Sequence, residues 1–326
     1  MSTRHLSVMK LVATGNDFLF INGIDSDAKN WPSLNRSQLA KVLCDRHFGL
    51  GGDGLVIIER PTDLIGSPNA QLEVPTFQWD FYNSDGSSAE MCGNATRCFG
   101  RWAEKTLNLS CAKLVTIAGI VEVTARPTGQ ADGRSRGEAS KSSSQFESLL
   151  SFVKTTGRRI MARLDERDYC AILLNTGVPH AVIAVDDLES AKNHSSLIQA
   201  FRFHPDTGAK GANVTLIQAF GPTHFKTVTF ERGVEGFTLS CGTGVLAAAI
   251  AGVVHGLKSN GSSIDELAEA SGYMKNATLD TPGGTLSVQI LKAGCGVLLA
   301  GPAEIVFQTT IDLESYLFSK IYGAFL

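Results

Sequence analysis

The chain carries one short pattern twice, as MCGNA at residues 91–95 and as SCGTG at residues 240–244. Each copy places a cysteine, a glycine and a small polar residue directly before a segment of helical composition. A glycine at a helix start lets a ligand approach the backbone, and the free amide groups and the helix dipole there favour an anion. One such turn is a weak signal. Two with matching flanks, one in each half, predict a protein of two similar units.

The sequence around these turns predicts many strands and few helices. Apolar runs bounded by glycine and turn residues predict strands at residues 18–22, 55–59, 77–82, 114–124, 171–174, 181–185, 214–219, 225–230, 285–291 and 296–300. Helical composition marks residues 39–48, 98–107 and 245–257. Strands with few helices, distributed over two halves, indicate an α+β fold.

The composition changes between the two halves. From Pro127 to Ser148 the chain is dominated by Gly, Ser, Arg, Gln and Glu, and it cannot bury enough apolar surface to offset its ordering entropy. We therefore predict an N-terminal domain over residues 1–126, a polar, flexible insertion over residues 127–158 and a C-terminal domain over residues 159–304.

Length and charge narrow the class of protein. The 326 residues are 43% hydrophobic and 19% charged, with a formal net charge of −3, which argues against nucleic acid or an anionic membrane as a partner. No apolar run approaches the ~20 residues that cross a bilayer, and residues 1–10 lack the apolar core of a signal peptide. Seven cysteines in so long a chain do not indicate a disulfide framework. We expect a globular, thiol-reduced, cytoplasmic protein.

The two cysteines fit one chemistry in particular. If the turns face each other, two helix ends hold one carboxylate, with Cys92 and Cys241 on opposite sides of the carbon attached to it. Inverting a stereocentre through its α-proton needs a base on one face and an acid on the other, and the amides would stabilise the enolate-like charge. We expect the helix ends to lower the thiol pKa values.

Other readings of the cysteines remain open from the residues alone. They can be small buried residues that pack the helix starts, or a redox pair that forms a disulfide. A metal site is disfavoured, because the chain has no CxxC and no histidine at ligand spacing beside either cysteine.

Longer segments around the cysteines resemble a known family. The run YNSDGSSAEMCGNATRC at residues 82–98 is similar to the first active-site signature of the diaminopimelate epimerases. Four further segments agree in order: GNDF at 15–18, NTGVPH at 175–180, GANV at 211–214, and ERG at 231–233 followed by CGTG at 241–244.

The resemblance implies a pyridoxal-phosphate-independent isomerase that interconverts LL- and meso-2,6-diaminopimelate for lysine and peptidoglycan synthesis, with no cofactor and no metal. It implies two pseudo-symmetric domains, each a mainly antiparallel sheet around a central helix, with the active site in the cleft between them. It also implies that residues from about 305 to 326 pack back on the first domain, and it allows a homodimer.

The resemblance assigns roles residue by residue. Cys92 and Cys241 are the acid/base thiols, and His180 and Glu231 join them as catalytic residues. The residues implied to bind substrate are Asn16, Asn83, Gly93, Asn94, Asn213, Glu231, Arg232, Gly242 and Thr243. Of these, Glu231 and Arg232 offer an acceptor and a two-pronged donor to the distal zwitterion of the substrate.

Four positions depart from the family pattern. Val178 stands where many members have asparagine, Gly54 where some have glutamine, and Phe237 where an acidic residue is usual. Ala95 replaces the commoner glycine after Cys-Gly-Asn, which is a small change at a helix start. The first three changes affect distal recognition, and all four leave the two-thiol chemistry intact.

Two other functions compete with this one. The first is a same-fold racemase or epimerase for proline or hydroxyproline, although those enzymes typically have a histidine after the first Cys-Gly, where this chain has Asn94. The second is a non-catalytic redox or ligand-binding paralogue.

Overall fold

The computed structural model describes residues 5–24, 35–61, 74–126, 145–258, 274–292 and 295–312. The strands are β1 His5–Ala13, β2 Asn16–Asn22, β3 Gly54–Glu59, β4 Thr76–Asn83, β5 Cys111–Thr116, β6 Gly119–Arg126, β7 Gln145–Leu150, β8 Arg158–Leu164, β9 Arg167–Asn175, β10 Pro179–Ala184, β11 Asn213–Ala219, β12 His224–Glu231, β13 Gly236–Phe237, β14 Lys275–Thr281, β15 Gly284–Ile290, β16 Val297–Pro302 and β17 Glu304–Asp312. The α-helices are α1 Arg36–Cys44, α2 Gly93–Leu107, α3 Leu188–Lys192, α4 Ser195–Arg202 and α5 Gly242–Val253. The prediction of many strands and few helices is confirmed for these ranges.

The chain divides into two compact units. The first takes its described residues from 1–91, 95–146 and 302–326, and the second takes them from 92–94 and 147–301. The short segment Cys92–Asn94, which opens α2, therefore belongs to the second unit. In the first unit, β17 pairs with β1.

The first unit is a mixed sheet. Strand β1 pairs antiparallel with β17 and β2, β2 runs parallel to β3, β3 antiparallel to β4, β4 parallel to β5, and β5 antiparallel to β6. Helix α2 packs on this sheet through aromatic edge and stacking contacts among Phe77, Phe99 and Trp102. Gly100 makes this approach close, because a Cβ there would lie 2.6 Å from Val123.

The second unit repeats the same order of pairings. Strands β8, β9 and β10 pair antiparallel, β10 runs parallel to β11, β11 antiparallel to β12, β12 parallel to β14, and β14 antiparallel to β15. Helix α5 lies on this sheet, and its residues from Gly242 to Ala251 are all buried. A helix this apolar on all sides has to be enclosed by its unit.

Several elements differ from the sequence prediction. The expected strand over residues 114–124 is a hairpin of β5 and β6, joined where Gly119 has a φ of 139°. Strand β7 lies within the segment 127–158, where we expected a polar insertion, and its alternate residues Phe146, Ser148 and Leu150 are buried. Residues 127–144 lie outside the described residues. The second compact unit resumes at Glu147, not at residue 159.

Candidate functional site

Two helices of the chain begin side by side in the second unit. Helix α2 begins at Gly93 and α5 at Gly242, and both glycines are buried. A Cβ at Gly242 would lie 2.9 Å from the Cα of Gly93 and 3.4 Å from the backbone nitrogen of Asn94. Only glycine at position 242 lets the two helix starts approach this closely.

The Asn94 side chain ties one turn to the other. It is 1% exposed, and its Nδ2 donates to the carbonyl of Ser240 at 3.1 Å. The first amide groups of a helix lack partners inside the helix and carry the positive end of its dipole. Two such ends next to each other can bind one anion, and a carboxylate has the oxygen atoms to accept from both.

Cys241 directly precedes α5 and is 9% exposed, whereas Cys92 is half-buried. Burial raises the pKa of the Cys241 thiol well above its usual value, and the Glu231 carboxylate and Cys92 add to the rise. Hydrogen bonds from the Thr243 hydroxyl and the Gly244 amide act in the opposite direction. The expectation of a lowered pKa is wrong for Cys241, because desolvation outweighs the donors at the helix start.

His180 lies fully buried beneath this turn, on β10. Its Nε2 is 2.9 Å from Thr243 Oγ1, and its Nδ1 is 2.9 Å from Thr215 Oγ1 on β11. The Thr215 hydroxyl is in turn 3.1 Å from that of Thr229 on β12. Burial, and then the charge of Arg232, lower the pKa of His180 to about 3, so the imidazole is neutral at physiological pH.

Asn213 and Arg232 lie beside the imidazole. Asn213 Nδ2 is 3.3 Å from His180 Nε2, and Asn213 Oδ1 accepts from the Arg232 backbone N–H at 2.8 Å. The Arg232 guanidinium donates to the Gly211 carbonyl at 3.2 Å. Each polar group around the histidine therefore has its orientation set by a neighbour.

Glu231 ends strand β12 and is half-buried. Its Oε1 accepts from the Thr238 hydroxyl at 2.5 Å. Because its charge raises the Cys241 pKa, it is close enough for the thiol to sense it. The second unit thus brings together most of the predicted site residues: Cys92, Gly93, Asn94, His180, Asn213, Glu231, Arg232, Cys241, Gly242 and Thr243.

The two remaining predicted residues, Asn16 and Asn83, lie in the first unit. Asn16 Nδ2 donates to Asp53 Oδ2 at 2.9 Å, and Arg46 pairs with Asp53 at 2.7 Å. Asn83 opens a turn in which its Nδ2 donates to Ser87 Oγ at 3.0 Å.

Three of the departures from the family pattern have local reasons or consequences. A Cβ at Gly54 would lie 2.7 Å from both the Phe81 ring and the Tyr82 carbonyl, so this sheet has no room for a side chain there. Phe237 packs edge-on against Phe230, with ring centroids 5.4 Å apart. Val178 is half-buried, and its carbonyl accepts from the Thr176 amide at 3.3 Å.

Sequence reasoning missed the polar residues that contact the predicted site residues or their neighbours, namely Thr215, Thr229 and Thr238 in the second unit and Asp53 in the first. The threonines stand inside or beside strands whose other residues are mostly apolar, and a hydroxyl on the buried face of such a strand is the signal that could have found them. Within the described ranges no group of three or more His, Cys, Asp or Glu side chains could hold a metal ion. None of the helices in those ranges is long and apolar enough to cross a membrane.

Comparison with known proteins places these features in a family context. A family model described as diaminopimelate epimerase matches residues 8–141 and 172–306. The diaminopimelate epimerase of Aquifex aeolicus (strain VF5) is 33% identical over 252 residues, covering 76% of this chain and 81% of that protein. That of Methanocella arvoryzae is 32% identical over 308 residues, covering 94% of this chain and 96% of that protein.

A solved structure has the same fold at much lower identity. The crystal structure of a hydroxyproline epimerase from Agrobacterium vitis, with bound trans-4-hydroxy-L-proline, matches with a TM-score of 0.60 and 12% identity. The match covers 95% of this chain and 93% of that one. At this identity the likeness shows a shared fold alone.

Proposed function

Because the chain belongs to the diaminopimelate epimerase family, we propose that it interconverts LL- and meso-2,6-diaminopimelate without pyridoxal phosphate. In this proposal Cys92 and Cys241 move the α-proton. The meso product then serves lysine and peptidoglycan-precursor synthesis.

One observation carries the proposal, and it is the close approach of two cysteine-bearing helix starts through Gly93 and Gly242. The reacting carboxylate would accept hydrogen bonds from backbone amides of both helices. The donors would be the amides of Gly93, Asn94, Gly242 and Thr243. A carboxylate held there would have its α-carbon near both cysteines, because each cysteine directly precedes its helix.

The two cysteines and these backbone amides would carry the proton transfers. One cysteine, as thiolate, takes the α-proton, and the electron pair of the broken C–H bond moves into the carboxylate. The opposite thiol gives its proton to the other face of the same carbon, so a new C–H bond forms with inverted configuration. The enzyme then holds one thiol and one thiolate with their roles exchanged. Amide donors aimed at the carboxylate stabilise the charge that develops between the two proton transfers.

Glu231 and His180 would prepare the thiols. The Glu231 carboxylate acts on Cys241, whose pKa it raises, and it can accept the proton that must leave before the thiol becomes a base. His180 is buried and neutral, so it would act as a hydrogen-bonding group.

Arg232 and the asparagines would select the substrate, together with Glu231 in a second role. Arg232 carries the positive charge that a distal carboxylate needs, and Glu231 carries the negative charge for a distal ammonium group. Asn213, Asn16 and Asn83 would complete the contacts. A substrate with a second charged end fits this set better than proline does.

The test is proton NMR of the reduced protein with LL-diaminopimelate in D₂O, without added cofactor. We expect loss of the α-proton signal together with appearance of the meso isomer, and formation of the meso isomer about 10²-fold or more slower with the Cys241→Ala variant. Parallel samples contain proline and trans-4-hydroxyproline. Exchange of these but not of diaminopimelate would move the substrate assignment to the imino acids. A folded, reduced protein that exchanges none of the three would reject the proposed function and leave another amino acid or binding alone.

A further inference from the structure

A continuous line of hydrogen-bonding side chains runs from the thiol of Cys241 into the core of the second unit. Cys241 Sγ is 3.4 Å from Thr243 Oγ1, and Thr243 Oγ1 is 2.9 Å from His180 Nε2. The line continues from His180 Nδ1 to the hydroxyls of Thr215 and Thr229. All of these side chains are buried.

The direction of the bonds in this line follows from Asn213. Its Oδ1 accepts from the Arg232 backbone N–H, which can only donate, so its Nδ2 is the atom that faces His180 Nε2. An amide nitrogen also only donates, which makes Nε2 the unprotonated, accepting nitrogen. Nδ1 therefore carries the ring hydrogen and donates it to Thr215 Oγ1.

The unprotonated Nε2 also determines the direction in which the Thr243 hydroxyl donates. Because Nε2 has no hydrogen, the 2.9 Å contact requires Thr243 to donate to it, and the hydroxyl oxygen is then free to accept from the Cys241 S–H. When the thiol loses its proton, the thiolate can only accept. The hydroxyl hydrogen then has to turn towards sulfur, while Nε2 keeps the Asn213 amide as a donor.

We propose that Thr243 is a positioning residue whose hydroxyl hydrogen points to Nε2 of His180 when Cys241 is a thiol and to the sulfur of Cys241 when it is a thiolate. The switch breaks no covalent bond and leaves His180 neutral throughout. It provides the thiolate with a donor, in addition to the Gly244 amide, at the moment at which burial makes the charge costly. Its benefit to catalysis rests on the function proposed above, but its effect on the thiol does not.

The groups that face His180 are consistent with a neutral ring. Strand β11 contributes Asn213 and Thr215, β12 is followed by Arg232, and α5 contributes Thr243. Among the charged groups, the cation of Arg232 opposes protonation of the ring.

The first experiment compares Thr243→Val, which keeps the shape and removes the hydroxyl, with Thr243→Ser, which keeps the hydroxyl. The alkylation rate of Cys241 by iodoacetamide at about pH 8 is measured by peptide mass spectrometry, because this rate follows the thiolate fraction. We expect Thr243→Val to slow it about tenfold or more, since a hydrogen bond to a charged group is lost. In the Thr243→Ser variant, Cys241 should be alkylated at nearly the rate found in the unsubstituted protein.

Cys92 in the same samples provides the internal reference. Its alkylation rate should change far less than that of Cys241, and kcat for diaminopimelate should fall with Thr243→Val and recover with Thr243→Ser. Equal Cys241 rates in all three proteins would overturn the proposal. A changed thiol rate in a protein without epimerase activity would support the switch and reject the proposed function.

The second experiment tests the ring directly. In protein labelled with ¹⁵N-histidine, two-dimensional NMR should show His180 as the neutral Nδ1–H form between about pH 5 and pH 9. Replacing Asn213 by Asp should disturb this form, because a carboxylate cannot donate to Nε2. An Nε2–H form, or an imidazolium in that range, would overturn the proposal.

Discussion

The two units pair their strands in the same order, yet they fill equivalent positions with opposite chemistry. In the second unit His180 on β10 is level with Asn213 on β11, and Thr215 is opposite Thr229 on β12. The corresponding register in the first unit has Phe18 level with Gly54, and Val56 opposite Phe81.

A hydrogen-bonded chain in one unit therefore corresponds to an apolar cluster in the other. Phe18 and Phe81 meet edge-on with ring centroids 5.8 Å apart, at the places that correspond to His180 and Thr229. The size of Phe81 also explains Gly54, because its ring occupies the space that a side chain there would need. The same order of strand pairing therefore carries a polar, hydrogen-bonded line that ends at Cys241 in the second unit and an apolar cluster in the first.

Removing each cysteine in turn should have the greatest effect on activity. We expect Cys92→Ala and Cys241→Ala each to lower kcat for diaminopimelate by about 10²- to 10⁴-fold, because each removes one of the two proposed acid/base groups. Cys98→Ala, in the buried middle of α2, is the matched control and should keep a rate near that of the unsubstituted protein. Near-full activity in either turn variant would show that only one turn does chemistry.

Gly93 and Gly242 should differ in how well they tolerate replacement by alanine. A Cβ at Gly242 would meet backbone, the Cα of Gly93 at 2.9 Å, whereas a Cβ at Gly93 meets first the Leu299 side chain at 2.8 Å and Gly242 Cα only at 3.3 Å. We expect Gly242→Ala to lower kcat/KM by about 10- to 100-fold and Gly93→Ala by less, because backbone cannot move aside as a side chain can.

Gly221→Ala is the control for this pair. Its Cβ would have only His224 near it, at 3.9 Å, and kcat/KM and the melting temperature should be unchanged. If Gly93→Ala proved as damaging as Gly242→Ala, the contact between the turns would not be the limiting feature.

Sequence alone predicted the cysteine turns and much of the strand pattern, because both depend on local composition. The matching of MCGNA with SCGTG located both helix starts, and runs such as residues 18–22 already have the apolar character of buried strands. The partners of each strand in the sheet could not be predicted from local composition. Strand β1 was missed, and it is recognisable mainly through its long-range partners β2 and β17.

Motifs single out Cys92, Cys241 and Asn213, and the second unit brings these residues together. The hydrogen bonds that support them could not be predicted, because strand register brings Thr215 beside His180 and Thr229. The thiol pKa was also misjudged, because burial of Cys241 is a property of the fold and not of its helix start.

His180 should make the stability of the second unit depend on pH in a way that Phe18 cannot. Its folded-state pKa of about 3 lies below the ordinary 6.5, so the unfolded chain binds more protons between these values. The stability contribution is fully present above about pH 6.5 and is lost as the pH falls towards 3. Urea unfolding should show a lower free energy of unfolding at about pH 4.5 than at about pH 7.5. The His180→Gln substitution should reduce this difference by on the order of 2 kcal/mol.

Phe18→Leu, at the corresponding position of the first unit, is the control. It removes apolar packing and no titrating group, so it should destabilise the protein by about 1 kcal/mol at both pH values. An identical pH dependence for His180→Gln and the unsubstituted protein would mean that the imidazole does not titrate below its ordinary range.

The smallest effect concerns Asn16. In the first unit its side chain donates to Asp53, which forms an ion pair with Arg46, whereas in the second unit His180 has the neutral side chains of Thr215, Thr243 and Asn213 as partners. Asp53 accepts from Asn16 Nδ2 and from the Asp17 amide, and Arg46 pairs with both Asp17 and Asp53. Removing the acceptor with Asp53→Ala leaves Asn16 without this partner, and we expect KM for diaminopimelate to rise about 3- to 10-fold with kcat nearly unchanged. Asp80→Ala is the matched control, because Asp80 belongs to a separate ion pair with Arg36 in the same unit. It should lower the urea midpoint without changing KM. A rise in KM with both variants would show that the ions stabilise the unit as a whole and do not position Asn16.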